Sequence, residues 1–116
     1  MGTNAGPARP PERFGPFVLE RRLGTGAAGE VHLARPSVGT RPAPVFVIKR
    51  PLAGGDPTRD FEALSHEAAL NQAVVHPNVV RVFGAGMVGD RPYLALEYVE
   101  GVDAHRLVRA LAAAGA

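Results

Sequence analysis

The sequence predicts an α+β domain in which a five-stranded antiparallel sheet carries one major packed helix, with the start of a further helix at the C-terminus. Several short stretches alternate apolar and polar residues and are bounded by glycine or proline, which is typical of strands. One longer segment between the third and fourth stretches has helical spacing. Because no internal repeat occurs, the order of three strands, a helix, two strands and a helix start indicates a single unit.

Five strands follow from the alternation of apolar residues, at 17–24, 30–35, 45–49, 79–88 and 93–99. In the second of them, EVHLAR, Val31 and Leu33 face one side of the predicted sheet, while His32 and Ala34 face the other. The glycine stretch before EVHLAR makes the first two strands a hairpin. The sheet should therefore begin with a glycine-rich hairpin.

The major helix is predicted from Thr58 to Val75. Asp56 supplies a capping acceptor, and Pro57 suits the first helical turn because its missing N–H needs no partner there. The H-P-N sequence at 76–78 ends the helix, since a residue before proline avoids the helical conformation. The apolar stripe of this helix consists of Phe61, Leu64, Ala68 and Val75. A second helix begins within 101–116.

Composition excludes several classes of protein. A net charge of +2 with scattered arginines does not indicate a nucleic-acid surface. The absence of cysteine excludes disulfides and thiolate metal sites, and it fits a reducing compartment. No apolar run approaches the roughly 20 residues of a membrane helix, and the N-terminus does not resemble a signal peptide. Residues 1–13, rich in glycine and proline, are expected to be a disordered lead-in.

The stretch LGTGAAGEV, residues 23–31, carries Gly24, Gly26 and Gly29 in a G-x-G-x-x-G pattern. Glycines let backbone N–H groups approach phosphate oxygens closely. A dinucleotide-binding fold would continue from these glycines into a helix, but here they lead into EVHLAR, which has a strand period. The dinucleotide hypothesis is therefore ranked last, and a glycine-rich hairpin without a ligand stays open.

Lys49 is the only lysine of the chain, and it ends the apolar strand VFVIK. A buried ammonium group needs an anion nearby because it loses its hydration. On the predicted helix, Glu67 flanks the buried stripe and Glu62 faces water. Lys49 could pair with Glu67 across the strand–helix boundary, or it could extend outward to solvent while Glu67 stays at the rim. The pattern alone leaves both possibilities open.

These segments together resemble the N-terminal lobe of bacterial, eukaryotic-like protein serine/threonine kinases. LGTGAAGEVHLAR is similar to the glycine-rich loop of that family, and VIK is similar to its third-strand V-A-I-K motif. Glu67 lies nine residues before His76, as the helix glutamate of the family lies ahead of an H-P-N turn. LALEYVEG resembles the hinge segment. The match runs from about Phe17 to Leu111 in consistent order.

The resemblance implies an ATP site. The loop 24–29 would cover the phosphates, and Lys49 would contact the α and β phosphates while it pairs with Glu67. The side chains of Val31 and Val47 would pack on adenine, whose edge would bond the backbone of residues 97 and 99. Leu96 would be the gatekeeper, and Asp103 would meet the ribose. The implied nucleotide-binding residues are Leu23, Gly24, Thr25, Gly26, Ala27, Ala28, Gly29, Val31, Val47, Lys49, Leu96, Glu97, Val99 and Asp103.

The sequence also departs from the family pattern. Val47 replaces the usual alanine, which predicts a tighter adenine slot, and Ala28 leaves the loop tip without its usual larger residue. Neither the H-R-D motif of the catalytic loop nor the metal-binding D-F-G motif is present in these residues. The segments 105–107, His-Arg-Leu, and 60–62, Asp-Phe-Glu, are chance similarities. The histidines have no metal-ligand spacing, so no metal site is predicted, and His32, His66 and His76 are expected at the surface or in turns.

We therefore expect residues 14–116 to be a partial kinase domain, the ATP-binding lobe, hinge and next helix start without the second lobe. The complete protein would transfer phosphate from ATP to protein hydroxyls with Mg²⁺, while this chain alone would be inactive. The alternative is a standalone lobe that binds a nucleotide or a partner without catalysis. Expected partners are ATP, an unknown protein substrate and the missing lobe. A cytoplasmic location is expected, although the parent protein could be membrane-anchored.

Overall fold

A computed structural model of the chain describes residues 11–39, 45–73 and 79–98, together with Arg109. One antiparallel sheet in these residues has the strand order β1-β2-β3-β4-β6-β5, and one helix packs against β5 and β6. The strands are β1 (Glu12–Phe14), β2 (Phe17–Gly26), β3 (Gly29–Pro36), β4 (Phe46–Arg50), β5 (Val79–Val88) and β6 (Arg91–Tyr98), and the helix is α1 (Pro57–Ala73).

The predicted fold class is confirmed, but the strand count of five is wrong, since the described residues form six strands. The additional strand is β1, which pairs with β2 through Arg13 opposite Val18. Gly15 makes the tight turn between them with a φ of 58°, a value that favours glycine. We expected residues 1–13 to be a disordered lead-in, but Glu12 and Arg13 belong to β1. Residues 1–10 lie outside the described residues.

The helix begins as its sequence predicts. The Oδ1 atom of Asp56 accepts hydrogen bonds from the backbone amides of Thr58 at 3.0 Å and Arg59 at 3.3 Å, which caps the first turn. Leu64 and Ala68 are buried where α1 meets the sheet, whereas the predicted stripe residue Val75 and the segment 76–78 lie outside the described residues. Within the described residues, no helix has the length and apolarity needed to cross a bilayer.

Each face of the sheet carries a buried cluster. The cleft face, on which α1 packs, carries a buried cluster of Val31, Val47, Leu64, Ala68, Leu94 and Leu96. The opposite face, here called the outer face, carries a second cluster of Phe14, Phe17, Leu19, Ala34, Ile48 and Ala95. Edge-to-face aromatic pairs join Phe17 to Phe46 and to Tyr93 on that outer face. Side chains of β1 and β2 thus help to bury the outer face, which the sequence did not reveal.

The burial of the outer face corrects one prediction. The alternation within β3 is as predicted, with Val31 on one face and His32 and Ala34 on the other. His32 is nevertheless 8% exposed and not at the surface. The expectation for His66, which is exposed on α1, is confirmed, and His76 lies outside the described residues.

Candidate functional site

The glycine-rich segment forms a two-residue hairpin between β2 and β3. Gly26 pairs with Gly29 across it, and Ala27 and Ala28 make the turn. Gly29 has a φ of 135°, and a Cβ at this position would collide with the backbone carbonyl oxygen of Arg50. A side chain is therefore excluded at the base of the hairpin, which packs directly on the end of β4.

The only lysine of the chain pairs with the helix glutamate. Lys49 Nζ donates a hydrogen bond of 2.7 Å to Glu67 Oε1, and the side chains are 2% and 16% exposed. Strand β4 carries Lys49 between Val31 of β3 and Leu94 of β6 on the cleft face. The burial of Leu64 and Ala68 sets the rotation of α1 that brings Glu67 to this point. Of the two possibilities left open by the sequence, the ion pair is the one observed.

An open cleft of about 360 Å³ lies between the hairpin tip and α1. Both members of the ion pair line it, as do both turn residues of the hairpin. Its lining consists of Ala27, Ala28, Lys49, Pro51, Leu52, Gly55, Arg59, Asp60, Ala63, Leu64 and Glu67. Leu64 also belongs to the buried cluster of the cleft face, so the cleft adjoins that cluster. The arrangement combines a glycine-rich turn, a fixed cation and an apolar wall.

The other predicted nucleotide residues divide into four groups. Val31, Val47 and Leu96 lie together in the buried cluster, with exposed fractions of at most 1%. Leu23 is half-buried against the same cluster, and Glu97 is half-buried on β6. Gly24 and Gly26 are half-buried near the end of β2, and Thr25 between them is exposed. Val99 and Asp103 lie outside the described residues.

Of the two segments that resemble the H-R-D and D-F-G motifs by chance, the structure describes only residues 60–62. Asp60, Phe61 and Glu62 are consecutive residues of α1. Phe61 is half-buried and Glu62 is exposed, as the helical stripe predicts. The segment 105–107 lies outside the described residues. Among the residues that the structure describes, no group of three or more His, Cys, Asp or Glu side chains could hold a metal ion.

Sequence reasoning missed a polar network on the outer face, directly behind Lys49. Arg50 Nε donates to Glu30 Oε1 at 3.0 Å, and its two terminal nitrogens each donate to Glu12 at 2.9 Å. His32 Nε2 lies 2.9 Å from the same Glu30 oxygen. The guanidinium carbon is 4.9 Å from the ring centre of Phe14. The available signal was the alternation of β4, which places a second cation opposite Lys49 and requires a buried anion there.

The network shifts the pKa values of its carboxylates and imidazole. Hydrogen bonds from Arg50 lower the pKa of Glu12 below its usual value. Burial alone would raise the pKa of Glu30, but hydrogen bonds from His32 and Arg50 outweigh burial, so that this pKa is also lowered. Burial lowers the pKa of His32, although the hydrogen bond to Glu30 opposes this effect. Neutral pH therefore keeps both carboxylates charged and the imidazole neutral.

Comparison with known proteins decides the family. A family model for protein tyrosine and serine/threonine kinases matches residues 17–114, most of the chain. The chain belongs to the protein kinase family. The kinase lobe is 38% identical over 98 residues to the probable serine/threonine-protein kinase PkwA of Thermomonospora curvata, covering 84% of this chain and 13% of that protein. It is 34% identical over 91 residues to the tyrosine-protein kinase MasK of Myxococcus xanthus, covering 78% and 14%.

A solved kinase structure supports the fold. The crystal structure of a double mutant of the PknI kinase domain from Mycobacterium tuberculosis superimposes with a TM-score of 0.54 and 24% identity. The superposition covers 89% of this chain and 40% of that domain. At this identity the likeness concerns the fold, an antiparallel sheet with one packed helix. The chain spans only 13% and 14% of the length of the two curated kinase relatives.

Proposed function

We propose that this chain is the ATP-binding lobe of a protein serine/threonine kinase. The observation that carries the proposal is the Lys49–Glu67 ion pair of 2.7 Å, which lies in the cleft beneath the glycine-rich hairpin. Membership in the kinase family gives this pair its interpretation, because kinases hold the nucleotide phosphates with a lysine that a helix glutamate orients. The proposed catalytic residues are Lys49 and Glu67.

The cleft fits the phosphates of a nucleotide. The turn residues Ala27 and Ala28 line it and carry short side chains, so that a polyphosphate can approach the backbone of the turn. Lys49 supplies a compact positive charge that offsets the charge of the phosphates during phosphoryl transfer. Glu67 holds the ammonium group in place and offsets the cost of its burial. An arginine here would be larger and forked where a point charge is needed.

The adenine ring is proposed to bind where the cleft adjoins the buried cluster at Leu64. Val31 and Val47, the proposed ring contacts, are fully buried in this structure. An adenine ring can therefore contact these two side chains only if the residues that cover them move aside. Leu96 of β6 lies across from Val47 of β4, which is consistent with a gatekeeper at the back of this position. The backbone of residues 97 and 99 and the side chain of Asp103 complete the proposed site.

The remaining chemistry belongs to the complete protein. Transfer of a phosphoryl group needs a base for the acceptor hydroxyl and ligands for Mg²⁺, which kinases supply from their H-R-D and D-F-G motifs. The 116 residues contain neither motif, so we expect this polypeptide alone to transfer no phosphate. Serine or threonine as the acceptor is a proposal that the similarity to PkwA supports. The cytoplasmic location stays a prediction.

A nucleotide titration tests the proposal. We expect the chain to bind a fluorescent N-methylanthraniloyl derivative of ATP, and the Lys49→Met variant to bind it about 10- to 100-fold more weakly, because a hydrogen bond to a charged group is lost. Arg35→Met is the matched control, since it removes a cation from an exposed ion pair with Glu20. Equal affinity of the Lys49→Met variant and the unmodified chain would contradict the proposed site.

A further inference from the structure

Arg50 occupies an unusual position for a cation, because 6% of its surface is exposed and it lies on the outer face of the sheet. Its guanidinium is bound from two sides. Glu12 of β1 accepts two hydrogen bonds in a forked arrangement, and Glu30 of β3 accepts one. The ring of Phe14 packs against the same group. Three strands, β1, β3 and β4, therefore meet at this one side chain.

The glutamate on β3 is itself held firmly. Glu30 Oε1 accepts hydrogen bonds from both Arg50 and His32, and its side chain is 20% exposed. Because hydrogen bonds to charged groups are stronger than neutral ones, this oxygen is restrained from two directions. Glu30 also lies directly opposite Arg50 in the β3–β4 register.

This restraint acts at the base of the glycine-rich hairpin. Glu30 immediately follows Gly29, and Gly29 packs against the backbone of Arg50 and Pro51. In the same register, Val31 lies opposite Lys49. The hairpin is thus attached to the end of β4 by a backbone contact and by a side-chain ion pair. Both attachments lie within two residues of the lysine in the cleft.

We propose that Arg50 is a positioning residue for the nucleotide site, and that it holds the glycine-rich hairpin over Lys49 through Glu30, with Glu12 of β1 as its outer support. The inference rests on the proposed nucleotide function, although Arg50 itself lies on the face opposite the cleft. It assigns a role to β1 as well. The segment before the hairpin fixes the guanidinium, so a change at Glu12 is transmitted to the turn of residues 27 and 28.

Two readouts on the 116-residue chain test this role. The first is amide hydrogen exchange without nucleotide, in which Gly29, Glu30 and Val31 report the hairpin and Leu64 and Leu94 report global stability. The second is the affinity for N-methylanthraniloyl ATP. The variants are Arg50→Lys and Glu12→Gln. Arg50→Lys keeps the charge and loses the fork, and Glu12→Gln keeps the shape and loses the charge.

Glu20→Gln is the matched control, because Glu20 forms an ion pair of 2.9 Å with Arg35 between β2 and β3. Both members of that pair are exposed, and it lies away from the hairpin turn. Because any loss of global stability speeds exchange at all amides, we expect the hairpin amides in Arg50→Lys to accelerate about tenfold more than those of Leu64 and Leu94. Nucleotide affinity should fall roughly three- to tenfold. Glu12→Gln should shift both readouts in the same direction by less, and Glu20→Gln should shift neither.

The outcomes separate the positioning role from the proposed function. Equal acceleration at all amides in both variants would reveal a purely structural role and overturn the inference. Unchanged hairpin exchange in Arg50→Lys would overturn it as well. If the unmodified chain binds no nucleotide, the proposed function fails for this polypeptide, while selective acceleration at the hairpin still supports the positioning of that element by Arg50.

Discussion

Lys49 and Arg50 are neighbours on β4, and their side chains lie on opposite faces of the sheet. Both side chains are buried, and both pair with carboxylates. Lys49 faces the cleft and pairs with Glu67 of α1, whereas Arg50 faces the outer side and pairs with Glu12 and Glu30 of neighbouring strands. The comparison places the proposed ligand contact and the proposed support on opposite faces of one strand.

The difference follows from the two side chains and their partners. An ammonium group is a compact charge with rotatable donors, which suits a cleft where a ligand binds. A guanidinium is a planar fork that matches fixed carboxylates, which suits a permanent junction. The partner of Lys49 comes from a helix that packs on the sheet, so this pair depends on helix placement. The partners of Arg50 come from strands of the same sheet.

The largest expected effect on stability comes from Arg50→Met, which we expect to lower the free energy of unfolding by about 3–5 kcal/mol. Its removal leaves two carboxylates without their buried partner. Lys49→Met leaves one carboxylate and should cost about 1–3 kcal/mol. Urea unfolding of both variants measures the difference. If Lys49→Met lowers the free energy of unfolding as much as Arg50→Met or more, the Arg50 network does not contribute more to stability than the Lys49–Glu67 pair, and the comparison fails.

The next effect concerns the docking of α1 on the cleft face. Leu64→Ala deletes a side chain that is 3% exposed, and we expect a loss of about 2–5 kcal/mol in the free energy of unfolding. Glu62→Ala is the matched control on the exposed side of the same helix, with an expected change within about 0.5 kcal/mol. Thermal or urea unfolding of both variants gives the comparison. Similar losses at the two positions would show that α1 is not anchored through Leu64.

The outer face should also make the chain sensitive to acid. The pKa values of Glu12, Glu30 and His32 are all lowered in the folded state. The unfolded chain therefore binds protons more readily, and stability falls as the pH decreases below about 6.5 for His32 and below about 4.5 for the two glutamates. Urea midpoints measured between pH 7 and pH 4 follow this loss. Glu30→Gln should flatten the acid part of the curve, and an unchanged slope would contradict the role of the network.

Much of the cleft face could be predicted from the sequence. The strand period of EVHLAR and the cap at Asp56 correctly gave the hairpin and the helix start, because both signals are local. The Lys49–Glu67 contact was left open by the pattern, since it joins residues 18 positions apart whose approach depends on how α1 packs. The resemblance to kinases implied the contact, and the structure shows it.

The outer face could not be predicted in the same way. A three-residue strand in a segment rich in proline and glycine has no period to detect, and β1 forms where Arg50 binds Glu12 from 38 positions away. The burial of His32 has the same origin, because side chains of β1 and β2 help to bury the outer face, on which His32 lies. The alternation of β4 indicates a buried cation at Arg50, but it does not indicate which distant carboxylates pair with it.

The most direct test of the cleft exploits the single lysine of the chain. Selective isotope labelling of lysine gives one side-chain NMR signal, which belongs to Lys49. We predict that ATP shifts this signal, that adenosine without phosphates leaves it in place, and that Glu67→Gln weakens the ATP response about fivefold or more. A Lys49 signal that stays unmoved at saturating ATP in a folded chain would contradict the central claim that Lys49, held in place by Glu67, binds the nucleotide phosphates.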